Sequence, residues 1–167
     1  MRLVGQEATQ NDLRPRGADV YASFLMPHLR PGDSVLDCGC GVGTITLGLA
    51  EAVSEGHVVG VDLDLSGLKG AQRAAVSLGQ QNVSWIGADG RSLPFHCAVF
   101  DAVLCHSMLE TLNDPAPVIA ELRRVTKRGG VVGAASVEYD GIILSGEPMA
   151  GPRRFYDIRQ KLWRALG

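Results

Sequence analysis

The sequence predicts a doubly wound α/β fold, in which helices cover both faces of a parallel β-sheet. Short apolar runs alternate with helical segments along most of the 167 residues. Apolar strands separated by helices are typical of parallel sheets that are buried on both faces. Acidic residues and glycines follow several of these runs, and ligands of such folds bind beyond the carboxyl ends of the strands. The length suits a single domain with a buried core.

The alternation predicts four helices and five strands. A first helix is expected at residues 17–29, where apolar residues recur at helical spacing and Pro27 disturbs the last turn. The strands are expected at residues 34–37, 58–62, 83–87, 99–105 and 130–136. The other helices are expected at residues 44–54, 66–78 and 115–126. Ser66 is the candidate cap of the third helix, and Asp114 caps the fourth with Pro115 in its first position.

The stretch after the first strand carries the clearest chemical signal. Glycines occupy the alternate positions Gly39, Gly41 and Gly43 behind the acidic Asp37. Because glycine has no Cβ, such a loop can turn tightly and let a ligand touch the main chain. The dinucleotide pattern G-x-G-x-x-G would need its third glycine where this chain has Thr44. A nicotinamide-dependent oxidoreductase is therefore disfavoured.

Acidic residues also mark the ends of the second and third strands. Asp62 closes the second strand about twenty residues beyond the glycine loop. A carboxylate at that point can accept hydrogen bonds from both ribose hydroxyls of an adenosine. Asp89 follows the third strand, where a carboxylate can accept from an adenine amino group. The two residues together predict an adenosine-containing ligand.

Five motifs in register, of which the strand ending in Asp62 is the second, resemble those of class I S-adenosylmethionine (SAM) methyltransferases. The glycine loop is similar to their first motif, and residues 89–95 are similar to the D-A-x-x-L-P-F that follows the third strand. Residues 109–112 resemble L-E-H-L, and residues 124–130 resemble R-V-L-K-P-G-G. Over residues 30–136 the chain resembles the small-molecule family that includes the quinone-biosynthesis C-methyltransferases.

The resemblance implies a Rossmann-like fold, SAM as the cofactor and S-adenosylhomocysteine as its product. It places Asp37 at the amino end of the methionine moiety, directly or through water. The cofactor-binding residues that it implies are Asp37, Gly39, Cys40, Gly41, Gly43, Asp62, Leu63, Asp89, Gly90 and His106.

Methyl transfer from a sulfonium chiefly requires alignment of the acceptor and exclusion of water. His106, just past the fourth strand, is the candidate general base for a hydroxyl or acidic-carbon acceptor. A backbone contact to the cofactor is the alternative role for His106. Thr111 stands where the family often has histidine, so a base at that position is lost. Tyr21 and Tyr139 are candidates for the acceptor pocket, with core packing as the alternative for Tyr21.

Composition and motifs limit the partners. A net charge of −2 gives no bias toward nucleic acid, and residues 105–108 replace the N-P-P-Y type tetrad of enzymes that methylate bases or glutamine. The absence of a long apolar run predicts a cytoplasmic protein without stable membrane insertion. Cysteines are expected to be reduced and packed. No metal site is expected, because the Cys/His pairs at 96–97 and 105–106 flank a strand and lie more than ~20 Å apart.

The chain departs from the family pattern after the fifth strand. The usual sixth and seventh strands are not evident, and residues 152–166 carry the pattern of one basic amphipathic helix. We therefore expect three parts: a helical segment over the cofactor cleft at residues 1–30, a SAM-binding core at 31–136, and a lid or docking segment at 137–167. A shortened gene product and a natural short form that borrows structure from a partner both stay open.

The missing strands and the five motifs each lead to an expectation. An uncovered fifth strand is expected to self-associate through its edge, or else to be loose from about residue 137 onward. The sequence predicts a SAM-dependent methyltransferase that acts on a small-molecule acceptor with an oxygen or carbon nucleophile. The alternative is a SAM-binding subunit or fragment without catalytic competence.

Overall fold

A computed structural model describes residues 17–135 of the chain. The predicted tail segment at 137–167, its amphipathic helix and Tyr139 lie outside the described residues, as does most of the predicted N-terminal segment. The described part contains one sheet of five parallel strands in the order β3-β2-β1-β4-β5. The strands are β1 Ser34–Cys38, β2 His57–Asp62, β3 Val83–Gly87, β4 Phe100–His106 and β5 Thr126–Ala135. The predicted doubly wound parallel sheet is confirmed.

The direction of winding reverses at the centre of the sheet. The chain runs from β1 outward to β3 on one side, then returns to place β4 beside β1. Asp37 in β1 is therefore level with Gly60 of β2 on one side and with Leu104 of β4 on the other. Open α/β sheets bind ligands at such a reversal, beyond the carboxyl ends of the strands.

The described part contains four α-helices, of which the first precedes β1 and the other three connect strands. They are α1 Ala18–Tyr21, α2 Thr44–Ala52, α3 Leu65–Ser77 and α4 Ala116–Val125, with 3₁₀ turns at Met26–His28 and Leu109–Thr111. The cap of α3 is Asp64 rather than the predicted Ser66, because the Asp64 carboxylate accepts the backbone N–H of Ser66 at 2.9 Å. The helix α4 begins at Ala116 with Pro115 at its cap position, one residue later than predicted. Asp114 still accepts the N–H of Ala116 at 3.0 Å.

The first helix is shorter than predicted. The predicted helix at residues 17–29 is replaced by one α-turn that ends at Tyr21 and a separate 3₁₀ turn that contains Pro27. Proline lacks the N–H that a continuing helix needs, and it disfavours helical backbone at the residue before it. The strand β5 begins at Thr126, four residues before the predicted start, because the chain becomes extended immediately after α4.

Apolar side chains from the alternating positions of the strands form one cluster on each face of the sheet. Val35, with Leu104 of β4, packs on the face covered by α1 and α2. The next residue, Leu36, packs on the opposite face with Val118 and Leu122 of α4. Successive side chains of a strand point to opposite faces, so both faces are buried. Within residues 17–135, no helix is long and apolar enough to cross a membrane.

Candidate cofactor-binding site

A cleft of about 320 Å³ opens at the carboxyl ends of β1, β2 and β4. This volume is at the small end of the range of about 300–1,000 Å³ that is usual for small-molecule sites. The residues that line it are Cys38, Gly39, Val61, Asp62, Leu63, Ala88, Gly90, Ser107, Met108, Thr111 and Leu112. Four of the predicted cofactor-binding residues are among them: Gly39, Asp62, Leu63 and Gly90.

The glycine loop connects β1 to α2 at one wall of the cleft. Gly39, Gly41 and Gly43 all have positive φ, at 83°, 54° and 77°. A Cβ at Gly43 would overlap the indole of Trp85, which packs beneath the loop from β3. Because Gly43 also begins α2 in a left-handed conformation, it is restricted to glycine by both its backbone and its neighbour. The three alternating glycines of the sequence thus correspond to three positions with left-handed backbone.

Asp62 joins the glycine loop to the end of β2. One carboxylate oxygen accepts the N–H of Gly41 at 2.7 Å, and the other accepts the N–H of Asp64 at 2.9 Å. These two bonds fix the carboxylate at the wall of the cleft. A carboxylate has about four acceptor positions, so each oxygen can still accept a further hydrogen bond from a ligand.

Asp37 is buried rather than exposed to the cleft. The residue is 2% exposed, and its carboxylate accepts a hydrogen bond of 2.6 Å from the hydroxyl of Thr46 in α2. Burial raises the pKa of Asp37 to about 6, the Thr46 hydrogen bond opposes this rise, and the charge of Asp62 adds to it. Within the described residues, the carboxyl group therefore carries a penalty for being charged and has no cation to offset it.

Asp89 lies outside the lining of the cleft, although its neighbours Ala88 and Gly90 belong to it. The Asp89 carboxylate pairs with the Arg91 guanidinium at 2.7 Å and also accepts the backbone N–H of Arg91. These bonds hold the pKa of Asp89 below its usual range. Its predicted contact with an adenine amino group stays a prediction.

Two candidate residues from distant parts of the sequence meet at the end of β4. The rings of Tyr21 and His106 are in edge-to-face contact, with centroids 5.4 Å apart and planes at 88°. Thr111 donates its hydroxyl to the carbonyl oxygen of Met108 at 2.6 Å. Its hydroxyl is therefore engaged in a local turn.

Several lining residues were not among the predicted site residues. The most distinctive is Ser107, which has a φ of 53° and a buried hydroxyl without a hydrogen-bond partner in the described part of the chain. Met108 packs against the positions of Gly39 and Gly90 and so forms the floor between them. The motif that resembles L-E-H-L places residues 109–112 after β4, and this signal could have indicated Thr111 and Leu112. No residue pattern marks Ser107.

The four cysteines are free thiols. Burial raises the pKa of the Cys105 thiol to about 12, and it raises the pKa of Cys38 and Cys40 as well. These thiols are poor nucleophiles because the reactive form is the thiolate. Among residues 17–135, no group of three or more His, Cys, Asp or Glu side chains is arranged to hold a metal ion.

Comparison with known proteins places the chain in a family. A family model described as a methyltransferase domain matches residues 36–133, which is more than half of the chain. The matched segment runs from the middle of β1 to near the end of β5 and includes the whole cleft. The chain belongs to the class I SAM-dependent methyltransferase family.

Similarity to individual proteins also indicates the methyltransferase family. An uncharacterized methyltransferase of Schizosaccharomyces pombe is 36% identical over 123 residues, which are 70% of this chain and 44% of that protein. A 2-phytyl-1,4-naphtoquinone methyltransferase of Trichormus variabilis is 41% identical over 100 residues, which are 59% of this chain and 44% of that protein. A crystal structure of a SAM-dependent methyltransferase from Methanosarcina mazei matches with a TM-score of 0.59 and 29% identity, over 65% of this chain and 55% of that one. The chain spans less than half the length of these two curated relatives.

Proposed function

We propose that this domain binds SAM in the cleft and transfers its methyl group to a small-molecule acceptor. The observation that carries the proposal is the glycine loop with three left-handed glycines, held by Asp62 at the reversal point of the sheet. The residues fit the group. The loop offers main-chain contact without a Cβ, and Asp62 has acceptor capacity for two ribose hydroxyls.

The ribose, the adenine and the amino-acid part of the cofactor are each assigned to different residues of the cleft and the loop. Asp62 and Leu63 hold the ribose side, and Ala88 and Gly90 border the adenine. Asp37 lies behind the loop, where a cofactor ammonium group would supply the positive charge that its carboxylate lacks among the described residues. When bound, the cofactor supplies an activated sulfonium methyl.

The acceptor is proposed to bind beside the Tyr21–His106 pair. His106 ends β4, next to the cleft wall at Ser107, and the edge-to-face contact with Tyr21 restricts its ring. Histidine is the side chain that most often serves as a general base, so His106 is a candidate to take a proton from an acceptor hydroxyl or acidic carbon. Replacement of His106 by Gln is expected to lower kcat and remove its pH dependence near neutrality, with SAM affinity nearly unchanged. A role in backbone contact alone would leave the pH profile of kcat intact.

The acceptor class is proposed from the name of one of the similar proteins. The similarity to a 2-phytyl-1,4-naphtoquinone methyltransferase supports an acceptor with an acidic ring carbon or a phenolic oxygen. A cytoplasmic location belongs to the same proposal and is supported by the four free cysteines, which are typical of reducing compartments.

Calorimetry and methyl transfer test different parts of the proposal. Titration of the full chain with S-adenosylhomocysteine should show binding, whereas titration with NAD should show none. Incubation with SAM and a 1,4-naphthoquinol should then add one methyl group, detected by mass spectrometry. Binding of S-adenosylhomocysteine without transfer to any acceptor tested would support the alternative of a SAM-binding subunit. Absence of S-adenosylhomocysteine binding by the folded protein would contradict both.

We further propose that the chain self-associates through β5. Within the described residues β5 is an edge strand that pairs with β4, and its Val132 is 44% exposed. Exposed strand edges tend to pair with other chains. Light scattering over a concentration series should show association, and hydrogen exchange should show β5 amides that become protected as the concentration rises. A monomer with strongly protected β5 amides at all concentrations would contradict this proposal.

A further inference from the structure

Ser107 combines two unfavourable features at the wall of the cleft. Its φ of 53° is positive, which among the non-glycine residues of the described part it shares with Ala98. Its Oγ is buried and has no hydrogen-bond partner within residues 17–135. Left-handed backbone at a non-glycine residue and an unsatisfied buried hydroxyl each reduce the stability of the folded state. Alanine would remove the second of these penalties, and glycine would remove both.

The sheet register fixes the position of Ser107 relative to the glycine loop. β1 pairs with β4 through Asp37 and Leu104, and it pairs with β2 through Cys38 and Val61. Continuing both registers beyond the strands puts Ser107 on one side of the loop and Asp62 on the other. Two strand spacings separate them by roughly 10 Å. A ligand that crosses the loop therefore meets Asp62 at one side and Ser107 at the opposite side.

We propose that the Ser107 hydroxyl binds the amino-acid end of the cofactor. The inference rests on the proposed function, because the ribose at Asp62 directs the methionine part of the cofactor across the loop toward β4. A serine hydroxyl can donate to a carboxylate or accept from an ammonium group. The backbone N–H of Ser107 donates to the carbonyl oxygen of Ala135 at 2.8 Å, which holds the residue at the wall. The hydroxyl can turn between staggered positions about a single bond.

Two ligands that differ only at the amino-acid end test the proposal. S-Adenosylhomocysteine carries that end, whereas 5′-methylthioadenosine has the same adenosine and sulfur without it. Calorimetry on the full chain should show that Ser107→Ala weakens S-adenosylhomocysteine binding by roughly ten- to a hundredfold, the effect of one hydrogen bond to a charged group. The affinity for 5′-methylthioadenosine should stay at the wild-type value.

Unfolding of the ligand-free protein in urea provides a second readout. Ser107→Ala should be as stable as the wild type or more stable, because it removes an unsatisfied hydroxyl. Ser107→Gly should be more stable still and should bind S-adenosylhomocysteine as weakly as Ser107→Ala. The matched control is Ala98→Gly, which relieves a φ of 57° at an exposed residue just before the amino end of β4. It should raise stability and leave both affinities unchanged.

Two results would overturn the inference. Wild-type affinity of Ser107→Ala for S-adenosylhomocysteine would show that the hydroxyl makes no contact with the cofactor. An equal loss of affinity for both ligands would show that Ser107 acts on the loop or on the adenosine half. Failure of the wild-type protein to bind either ligand would instead contradict the proposed function itself.

Discussion

Polar side chains at the amino ends of the strands are paired with protein groups, whereas several at the carboxyl ends carry penalties. At the amino end of β4, Asp101 pairs with Lys127 at 2.8 Å and also accepts the N–H of Ser34 at 2.9 Å. At the amino end of β3, Asn82 donates to the carbonyl oxygens of Ala50 and Val53 at 2.8 and 2.9 Å. These groups tie the sheet to its neighbouring segments.

At the carboxyl ends of the strands, several polar groups of the described part lack such partners or carry a penalty. Asp37 is buried with a raised pKa, the Ser107 hydroxyl is unsatisfied among the described residues, and the glycine loop holds three left-handed residues. Sites that bind ligands commonly retain strain and unsatisfied groups that a ligand relieves. The comparison predicts that substitutions at the carboxyl ends change ligand affinity, whereas those at the amino ends change stability alone.

Replacement of Gly43 by Ala should have the largest effect. The new Cβ would overlap Trp85 and Ala71, and the residue would keep a φ of 77°. Left-handed strain of about 1–2 kcal/mol adds to overpacking of about 1–3 kcal/mol. Unfolding in urea should show a loss of about 2–5 kcal/mol, and S-adenosylhomocysteine affinity should fall with it.

Gly79→Ala is the control for Gly43→Ala. Gly79 has a similar φ of 69°, but no atom lies within 4 Å of the position that its Cβ would take. The substitution should therefore lower the free energy of unfolding by the strain alone, about 1–2 kcal/mol. Equal losses for the two variants would contradict the packing of Trp85 beneath the loop.

Replacement of Asp37 by Asn should change the pH dependence of stability. The folded protein raises the pKa of Asp37 from 3.8 to about 6, so the folded state favours the protonated form. Protonated Asp37 makes its full contribution to the free energy of unfolding below about pH 4, and this contribution is lost as the pH rises through 6. At about 1.4 kcal/mol per pKa unit, the loss approaches about 3 kcal/mol at neutral pH. Urea titrations between pH 4 and 7 should show this decline in the wild type, and Asp37→Asn should lack it.

A second variant sharpens the assignment of the pKa to Asp37. Thr46→Val removes the hydrogen bond of 2.6 Å that stabilises the charged carboxylate, so the pKa should rise further and the decline in stability should continue to higher pH. Bound S-adenosylhomocysteine should lower the pKa through its ammonium group, so the decline should end at lower pH. Identical pH profiles of the wild type and Asp37→Asn would contradict the burial of a titrating carboxyl group.

The sequence was sufficient to predict the fold and the position of the cleft, but it was not sufficient to predict every residue that lines the cleft. Strand ends followed by glycine or acid correctly indicated the cleft beside Gly39 and Asp62, because the period of a buried strand and the flexibility of glycine are local properties. Ser107 and Met108 were missed, since their position in the cleft lining depends on which strands are neighbours. The pairing of Asp89 with Arg91 was missed because a spacing of two residues in a loop does not show whether the two side chains turn toward each other.

Replacement of Asp62 by Ala should weaken S-adenosylhomocysteine binding by about 1.5–3 kcal/mol, the range for hydrogen bonds to a charged group. The Asp62 carboxylate accepts the N–H groups of Gly41 and Asp64 as well, so stability should fall too. The matched control is Asp64→Ala, which removes the cap of α3 at an exposed residue that does not line the cleft. It should lower stability by about 0.5–2 kcal/mol with unchanged affinity. Wild-type affinity of Asp62→Ala would contradict the ribose assignment.

Replacement of Lys127 by Met should have the smallest effect and should test the amino ends of the strands. Lys127 holds the pKa of Asp101 below its usual range, but both side chains are about one third or more exposed. Solvent screens such a pair, so the expected loss in the free energy of unfolding is about 0.2–1 kcal/mol and should shrink in high salt. Asp101 keeps the N–H of Ser34, which limits the damage, and S-adenosylhomocysteine affinity should be unchanged. A measurable loss of affinity would contradict the division of roles between the two ends of the sheet, because Lys127 lies at the end opposite to the cleft.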